Sequence, residues 1–174
     1  MYKKIKITSA IIVILLTFPF HFMYQFKPNF LTAIFFPINE SIWEHLKLFI
    51  TPALIAFIVE MLIMKKQRIC IQNNYLALLT EIAISIGTFL TIFLPFYFKM
   101  GENIFFTITV MIASIIFSKY IGYLLVKEKN ELILNYLALI ILFIVIIINI
   151  IFTFHPLNNY LFVDPITNHK GLPK

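Results

Sequence analysis

Residues 132–154 read LILNYLALIILFIVIIINIIFTF, and between Ile140 and Ile151 the only polar side chain is Asn149. A helix needs about 20 apolar residues to cross the hydrocarbon of a bilayer. Backbone groups there find no water, so the run must close its hydrogen bonds within itself, as a helix. Working outward, four more segments have the same character: about Ile5 to Tyr24, Asn39 or Ser41 to Met64, Asn74 to Phe98, and Ile104 to Val126. None alternates strictly with period two, which argues against a transmembrane barrel. The expected fold is all-α, a polytopic transmembrane helix bundle of about five spans (5–24, 39–64, 74–98, 104–126 and 132–154). It forms a single integral membrane domain over residues 1–174, with lipid as its surroundings.

Composition agrees. The chain is 61% hydrophobic and 13% charged, where a soluble domain runs near half apolar and about a quarter charged. This excludes a soluble enzyme fold, a disordered chain and a disulfide scaffold; Cys70 is the single cysteine and lies in a basic loop. The net charge of +6 is broken up by apolar stretches, so there is no continuous basic face and nucleic acid is not an expected partner.

The basic residues set orientation instead. Lys3, Lys4, Lys6, Lys65, Lys66, Arg68, Lys127 and Lys129 fall on one side, eight against the four of Lys27, Lys99, Lys170 and Lys174. The positive-inside rule then puts the N-terminus in the cytoplasm and the tail outside, in a multi-pass plasma-membrane protein. The first span has the basic head of a signal peptide. Phe20-His21-Phe22-Met23-Tyr24 follows its apolar run in place of a small-residue cleavage site, so it is expected to stay uncleaved.

Ionisable groups in lipid cost roughly 2.5–3.5 kcal/mol each at a span centre, so those that persist are candidates for function. They form two layers. The outer one lies in Pro37-Ile38-Asn39-Glu40-Ser41-Ile42-Trp43-Glu44-His45-Leu46-Lys47. Asn39 is expected to cap span two, with Glu40 in its first turn. At about 100° per residue, Glu40, Glu44, Lys47 and Thr51 share one face, flanked by Ser41 and His45. Pro52 frees the carbonyl of Leu48 and predicts a bend there. His21, His155 and Asp164 are expected at the same depth, with the tail 155–174 folding back over the outer face and Asp164-Pro165-Ile166-Thr167 making a turn.

Catalytic candidates are Glu40, Glu44, His45 and Lys47, supported by Asn39, Ser41, Trp43 and Asp164. His21, Glu44, His45 and His155 are the candidate ligands of a divalent metal, zinc by donor type. A structural role competes with these: Glu44 and Lys47, three apart, can pair, and Trp43 and His45 can anchor at the interface. The inner layer is Glu60, Glu81 and Lys119. Glu81 and Lys119 each stand seven residues from the inner ends of their spans, about 10 Å deep at 1.5 Å per residue, which predicts a charge pair. Asn135 and Asn149 in span five share a face and are expected to point into the bundle.

The string Asn-Glu-Ser-Ile-Trp-Glu-His at residues 39–45, after a span ending in His-Phe-Met-Tyr, resembles a family of small bacterial integral membrane proteins of unknown function. That family carries an Asn-Glu-Ser-x-Trp-Glu-His signature after its first span and ends in Phe-x-Asp-Pro-x-Thr, matched by Phe162, Asp164, Pro165 and Thr167. Asn168-His169-Lys170 departs from the family's ending. The resemblance implies a fold and a site location and names no reaction. Three functions fit the residues: a metal-dependent or lipid-directed enzyme at the outer face, a component that binds or transports a small solute or ion, and an interaction protein whose polar stripe is structural.

Overall fold

The computed structural model describes residues 2–69, 73–101, 103–127 and 131–172; Cys70, Lys129 and Lys174 lie outside the described residues. The helices are α1 (Tyr2–Phe26), α2 (Phe30–Phe35), α3 (Ile42–His45), α4 (Lys47–Lys66), α5 (Asn74–Met100), α6 (Ile104–Lys127) and α7 (Leu132–Phe154), followed by a 3₁₀ turn at Tyr160–Phe162. Five spans are long and apolar enough to cross a membrane, α3 and α4 counting together as Ile42–Lys66. Among the described residues there is no strand beyond an isolated bridge between Val163 and Lys170.

The bundle is built on α5 against α6, α1 against α4, α7 against α5 and α1 against α6. Four of these helices enclose an apolar core of Val13, Phe49, Ala56, Phe89, Phe93, Val110, Met111 and Ile115. A second cluster, Ile50, Ala53, Leu78, Ile82 and Leu142, fixes α7 to α4 and α5. The far side of α7 carries Ile133, Ile140, Phe143, Ile147 and Ile151, all exposed. Their spacing of seven, three and four puts them on one helix face, suited to lipid.

The start of the second span corrects the sequence expectation. Ser41, not Asn39, is the N-cap; its Oγ accepts from the Glu44 backbone N–H at 3.3 Å. Ser41-Ile-Trp-Glu44 is a Ser-x-x-Glu start signal, and it outcompetes the earlier Asn. Glu40 therefore lies before the helix. Asn39 accepts from the Ser41 N–H and donates to the Gly171 carbonyl at 2.8 Å, tying the tail to this corner.

The helix axis is interrupted at Leu46, between α3 and α4. Pro52 cannot donate to the Leu48 carbonyl, and the Thr17 hydroxyl of α1 donates to it at 3.3 Å. Between the first two spans lies a short helix, α2, outside the five expected spans. Asn29 and Thr32 cap each other reciprocally at its start. At its end, orphan carbonyls that helix termini always leave are taken by span two. Lys47 Nζ donates to Ala33 and Phe36 at 2.7 and 3.3 Å, and Thr51 donates to Phe35 at 2.6 Å.

At the other end, polar side chains join helix termini. Asn135 of α7 accepts from the Tyr75 and Leu76 N–H groups, capping α5. Asn73 accepts from the Glu131 N–H and donates to the Leu125 carbonyl, linking α7 and α6. Asn149 is buried, as its position suggested.

Candidate metal centre and adjoining cavity

The expected polar face divides in two. Glu44 and Lys47 pair at 2.6 Å, with side chains only 3% and 2% exposed. Glu44 also accepts from the Ile38 N–H at 3.1 Å and from the Thr153 hydroxyl at 3.3 Å. These two residues clasp α2 and α7 to span two. Glu40, outside the helix, turns the other way.

Glu40 meets His21 of α1 and His45 of α3. Its Oε2 lies 3.8 Å from His21 Nε2 and 3.4 Å from His45 Nε2. The ligand atoms of the three residues all lie within 4.8 Å of one another, and the imidazole rings are 5.1 Å apart. All three side chains are partly exposed. The structure thus gathers His21 and His45 around Glu40. Glu44 faces Lys47 instead, and His155 is exposed at the end of α7, outside the cluster.

His45 carries the chemical information. Its Nδ1 lies 2.9 Å from the Ser41 carbonyl, which can only accept. Nδ1 therefore donates to that carbonyl, and Nε2, 3.4 Å from Glu40, faces the carboxylate. Facing a carboxylate, Nε2 carries a second proton and donates to Glu40, or gives that proton up to a cation. A backbone carbonyl on the far nitrogen is how metal-binding imidazoles are commonly oriented. His21 Nδ1 is buried and has no hydrogen-bond partner among the described residues. The hydrogen bond from His45 holds the Glu40 carboxyl below the usual carboxylate range, against the opposing effect of burial, and the charges of His45 and His21 act in the same direction.

Two His and one Glu form a donor set that catalytic zinc uses with a fourth position left open. Bonds of about 2.0–2.1 Å at tetrahedral angles put ligand atoms about 3.3 Å apart. The His45–Glu40 distance already fits, while His21, 3.8 Å from Glu40 and within 4.8 Å of His45, would move inward to complete the site.

A cavity of about 260 Å³ opens beside this cluster, with Glu40 and His45 at its polar end. One wall is Phe89, Phe93 and Tyr97, three residues of α5 stacked ring on ring at 4.9 and 5.3 Å. Thr107 of α6 contributes, and Tyr160, Val163 and Pro165 of the tail form a roof. The tail is shaped by Asp164, which accepts from the Ile166 N–H and the Thr167 hydroxyl, both at 2.8 Å, and by Phe162 stacked on Trp43 at 4.8 Å. Asp164 and Trp43 thus hold the roof, and neither lines the cavity. Phe89, Phe93 and Tyr97 were not singled out in the sequence, although their spacing of four puts them on one helix face.

The other end of the bundle holds a closed square of charges. Lys119 Nζ lies 2.6 Å from Glu81 and 3.3 Å from Glu60. Lys6 lies 2.6 Å from each of the same two carboxylates. Four helices contribute one residue each. Lys6, expected among the loop charges, is only 5% exposed and belongs to the interior.

A model for a family of unknown function, DUF6512, matches residues 1–172. No curated protein and no solved structure matches the chain.

Proposed function

We propose, for a chain that belongs to the DUF6512 family of unknown function, that His21, Glu40 and His45 bind a divalent metal ion and form the reactive centre of a lipid-directed enzyme. Zinc is the ion that two imidazoles and a carboxylate fit best. The observation that carries this reading is the convergence of three ligand atoms within 4.8 Å, on an imidazole whose other nitrogen is committed to a carbonyl. When bound by three protein ligands, such an ion supplies an activated water or a Lewis acid. The chain's own residues supply the rest. The α5 aromatic wall takes an apolar chain, Glu40 and His45 meet its polar head, and the tail roof limits access of water.

The protein is proposed to be multi-pass in the plasma membrane, with this centre at the outer face. An ion-conducting role draws no support from the interior. On α1, α4, α5 and α6 the apolar core falls between the two polar ends.

The test is metal analysis of full-length protein purified in mild detergent, followed by zinc titration. About one equivalent is expected, on the strength of a site formed only in the folded chain. It should be lost in His45→Ala and Glu40→Gln and kept in His155→Ala. Metal-free protein that gains nothing on adding zinc, or zinc retained in both cluster variants, overturns the reading.

A further inference from the structure

The charge square has an unequal balance of donors. An ammonium group carries three N–H donors. Lys47 spends all three, on Ala33, Phe36 and Glu44. Among the described residues Lys6 and Lys119 make two each, to Glu60 and Glu81. A buried charge with a donor to spare gains strongly from an anionic acceptor.

Both lysines also line a cavity. Lys6 and Lys119 line a space of about 300 Å³ between α1 and α6, together with Lys3, Ala10, Tyr120 and Tyr123, while neither Glu60 nor Glu81 lines it. The ionisable side chains of this lining are lysines and tyrosines, with no carboxylate among them, although the square itself is neutral. Lys3 is exposed and makes no ion pair among the described residues, which adds a positive charge. Several donors spread over one wall suit a group with oxygens pointing several ways, which a phosphate has and a carboxylate lacks. Ile7, Ile116 and Tyr120, on the same wall, are all more than half exposed, so the cavity opens along the lipid-facing seam of α1 and α6.

We infer that this cavity binds an anionic phosphate group, independently of the metal centre at the other end. The group has two sources: the headgroup of an anionic phospholipid, entering sideways along the seam, or free phosphate, entering past Lys3.

The experiment is thermal melting of the full-length protein in mild detergent. Phosphatidylglycerol, phosphatidylcholine and inorganic phosphate are each titrated in. The expected result is a melting rise with phosphatidylglycerol that grows with its concentration and exceeds any rise with phosphatidylcholine. Ala10→Phe, which fills the cavity and leaves every charge in place, should abolish the difference, and Lys3→Gln should reduce it. His45→Ala should leave it intact, which separates this site from the metal reading. A rise with inorganic phosphate identifies the free anion as a source; a rise with phosphatidylglycerol alone identifies the headgroup. The inference is overturned if neither anion raises the melting point beyond phosphatidylcholine, or if the rise survives both Ala10→Phe and Lys3→Gln. Should Ala10→Phe not fold, the comparison of Lys3→Gln with wild type decides.

Discussion

Gly122 shows how closely the interior is fitted. A Cβ built there would stand 2.0 Å from Glu81 Oε1 and 2.6 Å from two carbons of the same side chain. The missing side chain is the space in which the Glu81 carboxylate reaches Lys6 and Lys119. Gly122→Ala is therefore expected to push Glu81 out of the square and to cost about 3–5 kcal/mol, the range for stranding a buried charge. Gly87, in the middle of α5, has nothing within 4 Å of the corresponding point. There Gly87→Ala should stabilise by up to about 1 kcal/mol, because glycine is a poor helix former. Denaturant titration of the two variants side by side checks both signs; a neutral Gly122→Ala would show that the square tolerates displacement.

At the scale of elements, the segment that decides the architecture of the site is α2 and the clasp that holds it. Lys47 is a cation placed at the carbonyl end of a six-residue helix, where charge and hydrogen bonding act together. Lys47→Met leaves Glu44 buried without its counter-charge and should cost about 3–5 kcal/mol. Adding Glu44→Gln to it should restore much of that loss, since the stranded carboxylate is the larger penalty. Unfolding curves of the single and double variants test this, and a double variant no better than the single would assign the loss to α2 itself.

Much of this was legible beforehand. Long apolar runs have one solution in lipid, so the spans emerged within a few residues of their ends. The six residues of α2 are too few to show a period, and its cap lies in an Asn-x-x-Thr pattern that the surrounding loop residues obscure. The cluster of His21, Glu40 and His45 was half legible. His21 and His45 stood out as polar exceptions, yet Glu40 and Glu44 sit one turn apart on an ideal helix and look equivalent. They separate only because the helix begins at Ile42, which frees Glu40 to turn toward the imidazoles. Lys6 was hidden by its neighbours Lys3 and Lys4, whose charges set orientation while its own is spent inside.

For the whole molecule, withdrawing Lys6 from the loop charges leaves seven against four, still in favour of a cytoplasmic N-terminus. An odd number of spans then sends the tail outside. Alkaline phosphatase fused after residue 172 should be active and a green fluorescent protein fusion at the same point dark; the reverse pattern would turn the molecule over and place the His21–Glu40–His45 cluster on the inner side.

The apolar core that separates the two polar ends has an electrical consequence. Val13, Phe49, Ala56 and Ile115 are buried and carry no dipole of consequence, so they act as the dielectric of a small capacitor. Most of the membrane voltage, worth about 2.3 kcal/mol per elementary charge per 100 mV, drops across that layer. A charge entering the bundle from either polar end would meet that drop in full only on passing the core.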